Sequence, residues 1–510
     1  MIEERQISFQ RLPRTTAPAP GTREAFVPSV FDRTRAAALL LLACISSLVS
    51  GQQKVKTPDA ASAQVWDPPA IGVFPDHNLA AASPALVPAM VRDGELLFKA
   101  KFNILDGAGR PAATGDSKPT PRPRRDDQRF NRISGPDANS CAGCHNQPRL
   151  GGSGEFVVNV FVGAHFKDPP ASSFSPEITN ERNTIGLFGS GAIEMLAREI
   201  TRDLQQERND GRRRAVALGK EAEVHLLSKG IDFGTVVARP DGSYDESRVK
   251  GIDPDLVAKP FGFKGVAISL REFTIAALNQ HHGIQAVERF GWERTGRRDF
   301  DEDGVSSEFT IGQLSALVLF QAALPAPRNA PNADAAAKER IKRGEHLFAQ
   351  VGCTACHVPS LRLESRVFLE PNPYNRPGTI TPEDVGGVIA LPLAGGDKAS
   401  GIQSNPDGSL SVFAYSDLKR HVICDADEPF FCNERLRQDN VPTDEFLTPK
   451  LWDLATSAPY GHRGDCGTLS EAVLHHGGEA KESREQFLAL PDDDKRALIA
   501  FLLSLGAGDE

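Results

Sequence analysis

Two C-x-x-C-H runs constrain this chain more than any other feature: CAGCH at 141–145 and CTACH at 353–357. Thiols at i and i+3 share one helix face, so each pair can form two thioethers to the vinyl groups of one haem. The next residue, His145 or His357, then offers its imidazole to the iron as proximal ligand. A zinc ribbon brings its two C-x-x-C pairs within some tens of residues of each other, whereas these stand in different halves of the chain. A thioredoxin-like dithiol needs a βαβ context, which the flanking sequence does not show. The reading is two covalently bound haem c groups, one on Cys141, Cys144 and His145 and one on Cys353, Cys356 and His357.

Haem c is attached outside the cytoplasm, and the N-terminus agrees. Arg33 and Arg35 precede AAALLLLACISSLVSG, an apolar run short for a membrane span and suited to a signal core. Residues 1–51 are expected to be a signal peptide, giving a periplasmic or otherwise exported protein. The alternatives are a lipoprotein signal, with LLAC at 41–44 presenting Cys44 for acylation, and a short membrane anchor. The net charge is −9, and removing this segment deletes six arginines against four acids. So acidic a chain is not expected to bind nucleic acid. Its 40% hydrophobic and 25% charged residues exclude a disordered chain and a polytopic membrane protein.

After the signal, residues 52–92 read as an extended arm. Residues 93–325 read as an N-terminal haem c domain carrying an insertion at 200–260 that could form a substrate or partner surface. A linker spans 326–337, and 338–510 form a C-terminal haem c domain. Both domains are introduced by a helix with Gly-Glu-x-Leu-Phe, GELLF at 94–98 and GEHLF at 344–348, which suggests an internal duplication. With 45 glycines and 37 prolines, the expected fold is mainly α: two cytochrome c-like haem domains with long loops and a few short strands. Cys424 and Cys432 flank DADEPFF and can close a disulfide loop, leaving Cys466 unpaired; three buried free thiols are the alternative. In DFDEDGVSSEFT, Asp299, Asp301, Asp303 and Gly304 match the first half of an EF-hand calcium loop. The twelfth position is Thr310 rather than Glu, so Glu308 would serve from a shorter loop; a solvated acidic turn is the alternative.

Four stretches carry a family resemblance: RFNRISGPDANSCAGCHNQPRLGGSG, FDEDGVSSEFTIGQLSALVLFQAALPAP, IKRGEHLFAQVGCTACHVP and FLTPKLWDLATSAPYGHRGDCGTLSEAVLHHGGEA. The chain resembles the bacterial di-haem cytochrome c peroxidase superfamily, nearest its branch of di-haem oxidoreductases, also called thiol oxidoreductases. The resemblance implies that the second haem takes electrons from a small donor protein of cytochrome c or cupredoxin type. The first haem would reduce hydrogen peroxide. It implies His476 as sixth ligand of the second haem, with His475 as rival and His462 beside that haem. Imidazole in place of the family's usual Met would lower the reduction potential. Glu194 falls at the family's position for the peroxide acid–base, with His165, His281 and His282 as further candidates near the first haem. The family's inter-haem Trp has no counterpart after the first motif; Trp292 and Trp452 lie elsewhere. Two other readings stay open: a bis-His di-haem electron-transfer cytochrome, and an oxidase or oxygenase of an organic or protein substrate. Nothing supports thiol oxidation, since no C-x-x-C remains once haem is attached.

Overall fold

The computed structural model describes residues 67–81, 83–109, 137–161, 179–300, 303–329 and 334–506. The expected signal, with Cys44, and residues 52–66 of the arm lie outside these residues. Both motifs belong to one compact unit, Val65–Glu510.

The first half begins with α1 (Val87–Lys99), which buries Met90, Gly94, Leu97 and Phe98 along one stripe. A single helical turn, Cys141–Cys144, carries the first motif, and the Ser140 side chain caps it by accepting from the Gly143 N–H. A hairpin follows, β1 (Gly154–Phe161) against β2 (Thr179–Thr184). Next comes the long α2 (Ser190–Leu218). Its first three turns are wholly buried, and its basic second half is exposed except where Gly211 and Ala215 face inward. Gly211 has no room for a Cβ beside Val224. There the helix meets β3 (Ala222–Ser228), which opens an antiparallel sheet with β4 (Ile231–Ala238) and β5 (Tyr244–Val249). The insertion is this sheet. After it, α3 (Leu270–Ala277) is capped by Ser269, and α4 (Ile311–Ala323) is buried nearly all round.

The second half repeats the plan. Its α5 (Ala335–Gln350) leads into the second motif. Between motif and C-terminus come seven strands of three or four residues: β6 (Leu361–Leu363), β7 (Val367–Glu370), β8 (Ile389–Pro392), β9 (Ile402–Ser404), β10 (Leu410–Val412), β11 (Arg420–Val422) and β12 (Glu445–Leu447). They pair as β7–β8, β6–β10–β9 and β11–β12. Three helices close the chain: α6 (Leu469–Leu474), α7 (Lys481–Ala489) and α8 (Asp492–Ser504).

The two halves match atom by atom at these helices. A Cβ at Gly94 would collide with the Ala316 carbonyl on α4, and one at Gly344 with the Ala497 carbonyl on α8. Phe98 meets Phe320 at 5.2 Å and 58°, and Phe348 meets Phe501 at 5.5 Å and 57°. Each Phe then leans on its motif histidine: His145 at 6.2 Å and 52°, His357 at 6.1 Å and 52°. Glycine at the crossing lets the two backbones touch, and the aromatic pair behind it builds a floor for the imidazole.

The expectation of a mainly α cytochrome c-like fold is corrected. The described residues are 36% helix and 18% strand, with several small sheets. The reason for the difference lies in strand length. β6, β8 and β10 alternate buried and less buried residues, but over three or four residues that alternation is indistinguishable from loop sequence.

Candidate functional site

Each motif histidine is built the same way. His357 shares Nδ1–H with the Tyr415 carbonyl at 2.9 Å, and His145 Nδ1 meets the Gly152 carbonyl at 3.3 Å. A carbonyl at Nδ1 fixes the tautomer and leaves Nε2 as the ligand atom. Burial holds both imidazoles down at about 4, so both are neutral. Burial also pushes the Cys141 and Cys353 thiols up to about 12. Reactive dithiols have depressed values, so Cys141 and Cys353 are poor in thiolate.

Beside the second motif lies a cavity of about 360 Å³ lined by Cys353, Cys356, His357 and His476. His476 sits just past the C-terminus of α6, half-buried, and desolvation of its ring lowers its pKa. Its Nδ1 meets the Ala472 carbonyl at 2.6 Å, so it too keeps Nε2 for a metal. His475 turns the other way: it does not line the cavity, its Nδ1 meets Glu428 Oε1 at 3.1 Å, and its ring stacks on Phe430 at 3.6 Å. His462 does line the cavity, but its Nε2 is engaged by Asn433 Oδ1 at 2.8 Å.

The cavity wall supplies charge as well as ligands. Arg484 lines it, and its Nε is buried without a hydrogen-bond partner. That orphan donor suits a carboxylate arriving with a ligand, such as a haem propionate. Lys450 lines another wall; burial lowers it to about 7, and its Nζ donates to the Phe188 carbonyl at 2.7 Å. His421 is clamped between Asp417 Oδ2 and Glu479 Oε2, each at 2.8 Å. Burial opposes its charge, but the side chains of Asp417 and Cys356 raise it to about 11. Two imidazole nitrogens, an orphan guanidinium N–H and an apolar enclosure fit a haem.

The two halves share this cavity. Ser153, Ile185 and Gly186, which follow the first motif, form part of its wall. Ser153 is next in sequence to Gly152, the residue that fixes His145. Trp452 fills the wall nearby, with Nε1 donating to the Phe413 carbonyl at 2.7 Å. A Cβ at Gly189, in the first half, would collide with its ring. Trp292, by contrast, is 57% exposed.

At the first motif, His282 is buried, and its Nδ1 meets the Ala138 carbonyl at 2.6 Å. Its Nε2 lies 3.9 Å from Cys141 Sγ. His281 instead pairs with Asp137 at 3.0 Å. His165 lies outside the described residues.

Glu194 meets the expectation of a peroxide acid–base poorly. It is fully buried, and its carboxylate is held by three neighbours. Oε1 accepts from Arg198 at 2.5 Å and from Asn372 Nδ2 at 2.9 Å, and Oε2 accepts from the Leu270 N–H at 2.7 Å. In the acidic loop, Asp299 accepts from the Asp303 and Gly304 N–H groups, and Asp303 accepts from that of Val305. Glu308 accepts from the Gln285 N–H at 2.7 Å, and Asp301 lies outside the described residues. Among the described residues, the three ligand-type side chains within reach of a single ion are Cys356, Asp417 and His421, not this loop.

Cys424 and Cys432 are joined, with their Cα atoms 5.6 Å apart, and Cys466 is a buried free thiol. Sequence reasoning left that pairing open. It missed Arg484, Lys450 and His421, whose partners come from distant segments and leave no local pattern.

Residues 410–505 match the family described as "Di-haem oxidoreductase, putative peroxidase". That segment carries Trp452, His462, His476 and Arg484. The chain is 25% identical over 219 residues to the cytochrome-c peroxidase IdrP2 of Denitromonas iodatirespirans, covering 42% of this chain and 52% of that protein. It is 26% identical over 193 residues to the IdrP2 of Pseudomonas sp. (strain SCT), covering 36% and 45%. The matches thus span about half the length of these relatives. Among solved structures, the hydrazine synthase of Kuenenia stuttgartiensis covers 78% of this chain and 92% of its own at 15% identity. Its TM-score of 0.32 carries no argument.

Proposed function

We propose that this chain, a member of the di-haem peroxidase superfamily, is an exported oxidoreductase that holds two haem c groups and reduces hydrogen peroxide with electrons from a small donor protein. The family match and the two relatives named cytochrome-c peroxidase support the class of activity. The observation that carries the reading is the second site. His357 and His476 line one cavity, and each has Nδ1 pinned by a backbone carbonyl.

Bound haem supplies one-electron chemistry at its iron. The chain does the rest. The cysteines of each motif anchor the group, and His145 or His357 offers a neutral Nε2. At the second motif His476 offers a second imidazole, so this site is built to pass electrons rather than to admit a substrate. Arg484 Nε would bind a propionate. Phe431, Phe446 and Trp452 line the cavity and exclude water. The peroxide reaction is assigned to the first motif, on Cys141, Cys144 and His145. Glu194 is assigned a packing role there, because its carboxylate is fully buried and committed to Arg198, Asn372 and the Leu270 N–H. No helix among the described residues is long and apolar enough to cross a membrane.

A second reading, an electron-transfer cytochrome, draws on His282, whose pinned Nδ1 and nearby Cys141 echo His476. One experiment separates the two. The protein is made with c-type haem attachment, reduced by one electron and mixed with stoichiometric hydrogen peroxide while the Soret and high-spin bands are followed. The peroxidase reading expects rapid peroxide consumption with a change at one haem. Two haems that stay low-spin and leave the peroxide intact would move the assignment to the electron carrier.

A further inference from the structure

The loop closed by Cys424 and Cys432 grips the end of α6 from several sides. Phe430 stacks on His475 at 3.6 Å with the rings 6° from parallel, and Glu428 Oε1 meets His475 Nδ1 at 3.1 Å. Phe431 stands edge-on to His476 at 6.1 Å. The backbone that leaves His476 is tied to the same loop. The Gly477 N–H donates to the Ile423 carbonyl and the Gly478 N–H to Asp425 Oδ2, both at 2.8 Å. Gly477 lies so close that a Cβ would sit 2.9 Å from the Glu428 carbonyl and 3.1 Å from the Cys424 Cα.

Such a grip has a physical reason. α6 is six residues long, too short to hold its own C-terminal side chains in one orientation. The direction of the His476 imidazole therefore depends on what holds the turn after it. We propose that the disulfide-closed loop 424–432 is the positioning device for His476: Phe430 and Glu428 hold the adjacent His475 outward, and His476 is thereby fixed toward the cavity. The proposal rests on the reading of His476 as ligand to the second haem. Covalent closure matters because the loop's freedom would otherwise pass to the ligand.

The test uses the holoprotein and electron paramagnetic resonance. His476→Ala first identifies the low-spin signal that belongs to the second haem. The double variant C424S/C432S then opens the loop. The expected result is partial loss of that same signal to a high-spin one, reversed by added imidazole, with the first haem's signal unchanged. Carbon monoxide should also bind the reduced second haem ~10-fold faster or more, the usual scale for losing an outer contact to a metal ligand. If the double variant does not mature, Phe430→Leu and Phe430→Tyr decide. Leu keeps the disulfide and the apolar bulk but loses the stack, and should show the same conversion; Tyr keeps the stack and should match the wild type. The proposal is overturned if the loop-opened protein, or Phe430→Leu in its place, keeps the wild-type low-spin signal and carbon monoxide rate. A different failure is recognisable: if His476→Ala itself removes no low-spin signal, the ligand reading falls first.

Discussion

A buried histidine becomes a ligand when one ring nitrogen is fixed and the other faces a cavity, and four residues here can be sorted on that basis. His357 and His476 pass on both counts; His462 has Nε2 engaged, and His475 faces the wrong way. Spacing and resemblance pointed to the motif residues and His476. The choice against His475 was not readable, because adjacent residues differ only in what packs against them. Arg484 was not readable either, since its role depends on meeting a cavity formed from other segments. Replacing it by Gln should lower the second haem's reduction potential by some tens of millivolts. A partly screened charge is worth ~1 kcal/mol, which is roughly 40 mV for one electron. Redox titration of both haems checks this, and only the second should move. Glu194→Gln tests the packing role. It places an amide against Arg198, Asn372 and the Leu270 N–H, and should cost ~3 kcal/mol in stability, with peroxide turnover per folded holoprotein unchanged. A normal melt with reduced turnover would restore Glu194 to the chemistry.

Helices were legible at the scale of elements where α1 and α5 carry the repeated motif, each thirteen residues or more, long enough to display a 3.6-residue period. The seven short strands of the second half were not, and the whole-fold expectation failed there. The Gly-Glu-x-Leu-Phe repeat, read as a trace of duplication, has a stated job in the structure: each glycine lets its helix touch the carbonyl of a partner. Gly94→Ala and Gly344→Ala should therefore each destabilise by ~1–3 kcal/mol through overpacking, and the two losses should add because the crossings share no residue. Chemical denaturation of both single variants and the double measures it. The insertion is also pinned by a pair whose pH behaviour can be forecast. Asp253, on the strand-to-loop exit, accepts from Arg420 at 2.5 Å and from Lys259. Burial raises its pKa, but these two cations together hold it below the usual value. A depressed folded pKa stabilises above the unfolded value and is lost as pH falls through the folded one. The stability lost between about pH 5 and 2 should thus be smaller in Asp253→Asn than in the wild type, by the part this pair contributes.

In the molecule as a whole, the cavity beside the second motif is walled in part by residues that follow the first motif. The backbone carbonyl that fixes His145 belongs to Gly152, and the next residue lines the space beside His357. Haem in the second site would therefore be backed by the support of the first. Trp452 closes that wall from the C-terminal segment, against Gly189 of the first half. Sequence reasoning looked for a Trp directly after the first motif and found none; the fold brings Trp452 to the cavity wall from some three hundred residues away, which no local pattern could announce. If electrons cross here, Trp452→Phe should slow their redistribution after one-electron reduction while leaving both haem spectra as they are. It should also cost ~1–2 kcal/mol, because the Phe413 carbonyl loses its donor. Rapid-mixing spectroscopy of the half-reduced protein reads the rate, and a denaturation curve reads the stability. A lower stability with an unchanged rate would leave Trp452 as wall only.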